Sequence, residues 1–287
     1  MRGRRVRGPH NIIRLIRTGA TLERTGAMDV VLAAFKAPKH LRFAAHLLGW
    51  PFKWLGLKGD RNLPPATRAL TALGPAYIKF GQILSTRPDI VGAELSEQLK
   101  YLQDKLPPFP TSIAKAMIEA ELDRPLASVF SEFSEPIAAA SIAQVHRARL
   151  AETGEDVAVK VLRPGIERAF RKDIDAFYLA ARVIEILAPF SRRLRPVDVI
   201  THFEGVVMDE LDLRTESSSA AEFAANTAKD EGFQVPKPYW FLSGRSMMTL
   251  GWAEGIGLND LALIDAGGHD RRVLAARVLQ LFLNHAL

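Results

Sequence analysis

Residues 157–161 constrain the fold more than any other stretch. Val157, Ala158, Val159 and Val161 form a short run rich in β-branched residues, and a single lysine, Lys160, interrupts it. Such a run reads as a strand. An ammonium inside an apolar strand is costly unless an anion meets it. The preceding stretch sets Val145, Ala148 and Leu150 among Gln144, His146 and Arg147, and it reads as a partner strand joined through a polar turn at residues 151–156. The loop ahead of that strand, Ala138, Ala139, Ala140 and Ser141, contains no glycine. Two readings stay open: a strand lysine that meets an anion, or a surface hairpin whose lysine lays its stem along the strand and keeps its charge in water.

The absence of cysteine excludes a disulfide framework, a thiolate metal site and a cysteine nucleophile. Of the seven histidines only His40 and His46 are near one another, and a spacing of six is not a helical metal pair, so no metal site is expected. The 287 residues suffice for one large domain or two modest ones. The net charge of +6 is unevenly placed: residues 1–60 hold 12 Lys/Arg against 3 Asp/Glu, and the remainder holds 26 against 29. A charge confined to one arm argues against a nucleic-acid surface and suits an anionic membrane face, an acidic partner or a solvated leader. No run of 18 apolar residues occurs. The short apolar stretch at residues 11–16 holds Arg14 and does not read as a secretory signal; an arginine-rich, acid-poor start also suits an organellar transit peptide.

In chain order, residues 1–35 read as a basic, partly amphipathic helix. Residues 41–57 are rich in Leu, Phe and Trp, with Pro51 as a breaker. Trp50, Phe52 and Trp54 beside Lys53 and Lys58 resemble an interfacial patch, with packing onto the main domain as the other reading. Residues 64–86 read as a helix with Tyr77, Phe80 and Leu84 on one face and Lys79 and Gln82 on the other. Gly81 in its middle costs about 1 kcal/mol against Ala, which close approach by another backbone or a ligand would justify. Further helices are expected at 92–106, 111–122 and 166–187.

A long helix is expected from 197 to 230. Val199, Phe203, Val206 and Glu210 form one stripe along it, which puts a carboxylate on the apolar face and calls for a cation. Asp212 and Glu216 point to the opposite side. Residues 236–242 and 246–250 read as a hairpin, and helices at 258–265 and 271–287 close the chain. The last of them reaches Leu287 with no cap, glycine or polar tail, the pattern expected of a cut inside a longer protein.

Together these residues resemble the UbiB family of atypical kinase-like proteins, the aarF-domain kinases that support ubiquinone biosynthesis. Lys79, Phe80, Gly81 and Gln82 match its Lys-x-Gly-Gln motif, and residues 84–89 its Leu-Ser-Thr-Arg-Pro-Asp run. Gln103, Asp104, Lys105, Leu106, Pro107, Pro108 and Phe109 match its next block. Residues 136–150 match the alanine-rich loop that stands in place of the kinase glycine-rich loop. Lys160 matches the nucleotide lysine, Glu210 and Asp212 the Glu-x-Asp motif, and Glu216 the glutamate that pairs with that lysine. The resemblance covers about residues 60–287.

The resemblance implies an α+β, protein-kinase-like N-lobe, a small antiparallel sheet plus helices, with an N-terminal helical extension and most of the C-lobe absent. Its segments would be a basic amphipathic arm (1–60), a helical extension (61–130), the N-lobe (131–257) and the start of a C-lobe (258–287). It implies ion pairs Lys160–Glu216 and Lys79–Glu210, and an ATP or ADP site formed by Ile137, Ala138, Ala139, Ala140, Ser141, Ile142, Ala143, Gln144, Val145, Lys160 and Glu216. Lys79, Gly81, Gln82, Glu210 and Asp212 would be regulatory, with the Gly81 helix lying where ordinary kinases bind a protein substrate. Alanines in the loop imply a stiffer turn than glycine gives. Two departures stand out: Ser219 where the family usually has Asn, expected to loosen packing beneath the lysine pair, and Gly251 where it usually has an acidic residue. In the family the helix matching 271–287 leads into a catalytic loop with an Asp and an Asn, followed by a metal-binding Asp-Phe-Gly segment. The resemblance therefore puts the catalytic Asp beyond Leu287, assigns no catalytic residue to this sequence, and expects Mg²⁺ only in a longer protein. The reading is an ATP-binding atypical kinase or ATPase that supports ubiquinone biosynthesis, without turnover as this chain. The alternative is a non-catalytic scaffold that binds a membrane or a partner. Expected partners are nucleotide, a membrane surface or isoprenoid lipid, and other ubiquinone-biosynthesis proteins, with no nucleic acid. The expected location is the cytoplasmic face of a bacterial inner membrane, or else a mitochondrion.

Overall fold

The structure, a computed structural model, describes residues 10–35, 37–103, 107–187 and 189–286. The first nine residues of the basic arm, and Asp104, Lys105 and Leu106 of the 103–109 motif, lie outside the described residues. So does Leu287, the residue to which the last helix and the expected cut were assigned.

The lysine run folds as β3 (Asp156–Leu162) in a four-stranded antiparallel sheet of order β1-β2-β3-β4, with β1 at Phe130–Ala139, β2 at Ala143–Leu150 and β4 at Met247–Gly251. Strand side chains alternate between faces. Val157, Val159 and Val161 are fully buried on one face, and Lys160 stands on the other, in register with Val145 and Met248. The sequence pattern predicts no β1. It puts Ala138 and Ala139 in a loop, whereas they end β1 and pair with Val145 and Gln144. The strand escapes a hydrophobic pattern because it is an edge strand with mostly exposed side chains, and its register slips on either side of Pro136. The expected strand at 236–242 reduces to one bridge, Pro238 to Leu250, followed by a single 3₁₀ turn at Trp240–Leu242. Pro236 and Pro238 have no N–H to give a ladder.

The helices in chain order are α1 (His10–Thr25), α2 (Ala27–Ala34), α3 (Lys39–Gly49), α4 (Pro65–Leu73), α5 (Pro75–Ser85), α6 (Pro88–Val91), α7 (Ala93–Lys100), α8 (Thr111–Leu122), α9 (Ile166–Leu187), α10 (Pro196–Glu210) and α11 (Leu213–Asn226). Several expected helices are broken in two. Gly26 and Gly74, at φ of 81° and 115°, split 1–35 and 64–86, in a backbone region that glycine adopts cheaply. Helix α3 ends at Gly49, as the breaker Pro51 leads one to expect, and the chain continues as the 3₁₀ segment Trp50–Leu55.

Three apolar clusters hold these elements. Val157, Val159 and Val161 pack with Phe130, Leu150, Met247 and α8's Ile118. Phe170, Ile174 and Phe177 of α9 pack with Phe203 and Val207 of α10, Tyr77 of α5 and Met248 of β4. Within that cluster Tyr77 meets Phe177 edge-on at 4.7 Å and Phe80 meets Phe203 at 5.1 Å. Ile78, Val91, Leu95, Leu99 and Leu102 make the third. Helix α5 is therefore packed on two sides, and Leu84 joins the third cluster, away from the side that Tyr77 takes. Helix α1 is fastened across by an Arg14–Asp173 ion pair and by a Thr18–Tyr77 hydrogen bond of 2.7 Å.

These residues, up to Gly251, form one compact unit. Residues 252–287 form a second, with α12 (Leu261–Ala266) and α13 (Arg271–Ala286). Helix α12 starts three residues after the expected position because the Asp260 carboxylate accepts the Leu263 N–H as its cap. Among the described residues no helix is long and apolar enough to cross a membrane.

Candidate functional site

Lys160 meets its anion. Its Nζ donates to both carboxylate oxygens of Glu216, at 2.7 and 2.6 Å. The pair ties β3 to the first turn of α11, and it stays partly open to solvent, with the lysine side chain 27% exposed and the glutamate 47%. A partly solvated ammonium keeps charge available for a further anion.

Glu216 is presented by a break that the sequence pattern does not show. The expected single helix over 197–230 ends at Glu210 and restarts at Leu213. Asp212 is the cap of α11: its carboxylate accepts the Arg214 N–H at 3.1 Å, and the Arg214 guanidinium beside it holds its pKa below the usual carboxylate range. Leu211 and Leu213 are both buried, and the Leu213 N–H is used outside the helix, on the Arg245 carbonyl at 3.0 Å. The buried stripe of α10 is Ile200, Phe203 and Val207, not the expected Val199, Phe203 and Val206. Glu210 lies at its margin and meets Lys79 Nζ at 2.7 Å. Both ion pairs implied by the resemblance are present, on opposite sides of the break.

The turn joining β1 to β2 is only Ala140, Ser141 and Ile142. It is closed by the Ala140 N–H on the Ala143 carbonyl at 2.8 Å. Arg163 tethers it from the end of β3: Nε and Nη2 donate to the Ala140 carbonyl at 3.1 and 3.0 Å, and Nη2 also reaches the Pro107 carbonyl at 2.8 Å. Nothing local in the sequence signals this tether, a bond from Arg163 to a carbonyl 23 residues upstream. Ser141 and Ala143 are buried and Ile137 is exposed. Gln144 is fully buried, and its amide serves protein groups: Oε1 accepts the Phe109 N–H at 2.9 Å, and Nε2 donates to the Phe109 carbonyl and to His146 Nε2. Burial pushes the pKa of that histidine down.

The other motif residues are structural ties. Gln82 Nε2 donates to the Leu102 carbonyl at 2.8 Å. A Cβ on Gly81 would stand 2.3 Å from Leu102 Cδ1 and 2.6 Å from Leu70 Cδ1, so leucine packing, not a ligand or a backbone, accounts for that glycine. Ser219 is exposed on α11, so it does not loosen packing beneath the lysine pair; the serine buried there is Ser217. Gly251 ends β4, with its N–H on the Lys237 carbonyl at 2.8 Å.

This geometry stands alongside clear sequence similarity. The family model for the ABC1 atypical kinase-like domain matches residues 101–287 and so runs through to Leu287. A protein from Marinobacter nauticus named "Probable protein kinase UbiB" is 40% identical over 259 residues, covering 89% of this chain and 46% of that relative. The protein of the same name from Azotobacter vinelandii is 38% identical over 273 residues, 94% of this chain and 50% of its own length. The one from Cronobacter sakazakii is 42% identical over 216 residues, 75% and 40% respectively. The chain thus spans about half the length of the curated relatives it matches.

Proposed function

The chain belongs to the ABC1 atypical kinase-like family, and from that premise we propose that it binds ATP or ADP as part of a UbiB-type kinase or ATPase that supports ubiquinone biosynthesis. The observation that carries this reading is the two-oxygen Lys160–Glu216 pair, partly open to solvent, on the sheet whose β1–β2 turn is held by Arg163. In kinases a strand lysine fixed by a helix glutamate holds nucleotide phosphates. Here the phosphates would meet Lys160 Nζ and the backbone of Ala140, Ser141 and Ile142. A magnesium ion, when bound with the nucleotide, neutralises phosphate charge. No Asp-Phe-Gly segment occurs in residues 1–287, and we infer binding without turnover by these residues alone. Calorimetric titration with ATP and with ADP tests the reading. Lys160→Ala should weaken binding about tenfold or more, on the scale of a charge-assisted contact, and Lys79→Ala less than about twofold. Equal affinities in the two variants would remove the site from β3.

A second reading, a membrane-binding scaffold, is favoured by one feature of α3 and the turn after it. Trp50 and Trp54 are 71% and 72% exposed, with Phe43 and Leu47 also outward, beside Lys39, Arg42 and Lys53. Aromatic rings flanked by cations suit the headgroup layer of an anionic bilayer. Flotation with anionic liposomes should lose the chain when both tryptophans are replaced by alanine and keep it when Lys160 is. Retention of the double tryptophan variant counts against this reading.

A further inference from the structure

A cleft of about 460 Å³ opens beside β3 on the side of α8 and the start of α9. It shares no residue with the Lys160–Glu216 pair or with residues 140–142. Its floor is apolar: Leu162, Ile166 and Leu211 are all buried, and Met117 of α8 walls one side. Its rim is basic. Arg163, Arg168, Arg171 and Arg245 line it, with Glu167 as the one acidic residue.

The four arginines are not equally engaged. Arg171 and Arg245 both donate to the same oxygen of Glu167, from 2.7 to 3.1 Å. Among the described residues Arg163 donates to the carbonyls of Ala140 and Pro107 and meets no carboxylate. Arg168 is exposed and has no hydrogen-bond or ion-pair partner among the described residues. The rim therefore carries an excess of cationic charge over an apolar floor. The cleft is also built, not incidental. Glu121 of α8 fixes its far wall by accepting the Arg245 N–H at 2.6 Å and the Ser246 hydroxyl at 2.5 Å. Gly244 makes room for that carboxylate, since a Cβ there would fall 2.1 Å from Glu121 Oε1. A concave site of a few hundred cubic ångströms with an apolar lining and convergent donors is the usual form of a small-ligand pocket, and guanidinium forks recognise phosphate and carboxylate.

We propose that this cleft is a second ligand site, for an anionic amphiphile: a phosphate or carboxylate group on an apolar body. The anion sits among Arg163, Arg168 and Arg171, and the apolar body lies along Leu162, Ile166 and Leu211. The proposal does not depend on nucleotide binding at Lys160.

The test is calorimetric titration of the chain at low salt with hexyl phosphate, and in parallel with inorganic phosphate. Hexyl phosphate should bind the unaltered chain, and inorganic phosphate about tenfold more weakly, because burying even two methylenes exceeds the free energy of a tenfold change. Arg168→Glu should weaken hexyl phosphate binding about tenfold or more; the side chain is exposed and makes no hydrogen bond or ion pair among the described residues, so the fold is retained. Arg171→Gln is the independent second variant and should act in the same direction. No binding by the unaltered chain, unchanged affinity in both variants, or equal affinity for inorganic phosphate overturns the proposal. Competition by phosphatidic acid vesicles would assign the anion to a lipid headgroup, and its absence to a soluble amphiphile; both support the stated class.

Discussion

Two lysine–glutamate pairs, one at the sheet and one in the helical layer, carry the same charges and are held by different forces. Lys160 is placed by backbone: its strand is hydrogen-bonded on both sides, opposite Val145 and Met248, and both glutamate oxygens are engaged. Lys79 is placed by packing. Its helix is set by Tyr77 and Phe80 against α9 and α10 on one side and by the missing side chain of Gly81 against leucines on the other. A lysine fixed by a ladder keeps its place when neighbouring side chains change. One fixed by packing moves with them, because cores respond to even one methylene.

The largest expected effect removes what the two regions share. Phe170 is fully buried in the cluster that joins Tyr77 of α5, Phe203 of α10 and Met248 of β4. Phe170→Ala should cost about 3–5 kcal/mol in urea unfolding and should shift helix and aromatic signals together. Separate transitions would mean that the regions fold independently.

A smaller change should separate them. Gly81→Ala drives a methyl into Leu102 and Leu70. The leucine tips yield at an overpacking cost of about 1–3 kcal/mol, offset by the better helix propensity of alanine, about 1 kcal/mol. A net loss of no more than about 2 kcal/mol is expected, with nucleotide affinity unchanged. A fall in that affinity would show that the helical layer controls the sheet pair.

The smallest effect sharpens the comparison through pH. His46 of α3 is held by Glu23 at 2.8 Å and Asp29 at 3.0 Å, with the Glu23 bond the main cause of a pKa above 6.5. A raised folded value contributes stability that is fully present below 6.5 and is lost as pH rises through the folded pKa. The buried His146 of β2 has a lowered value, so its contribution is present above 6.5 and is lost as pH falls through the folded pKa. Acid therefore favours the helical layer and weakens the sheet. His46→Gln should narrow the stability difference from the unaltered chain as pH rises, by less than about 1 kcal/mol for so exposed a pair. A difference that does not vary with pH would refute the assignment.

How much of this was legible in the sequence follows from the same contrast. The sheet lysine announces itself, since one charge among valines on a strand needs an anion, and the family resemblance names Glu216 as that anion. A glycine in mid-helix, Gly81, asks for close approach by a backbone or a ligand, but that leucines make the approach follows only from the folded positions of Leu70 and Leu102. The break between α10 and α11 was hidden because Leu211 and Leu213 continue a helical apolar pattern; what ends the helix is a bond from the Leu213 N–H to Arg245, 32 residues later. Strand β1 and the Arg163 tether were invisible for the same reason. Each depends on partners distant in sequence, and neither leaves a periodic trace.

The break at residues 211–212 also has a mechanical meaning. A single rod carrying both glutamates would transmit any twist from one to the other, about 100° for each residue of register. A capped joint between them passes on translation but little torque. Each glutamate therefore takes its direction from its own helix, Glu210 from the end of α10 and Glu216 from the start of α11.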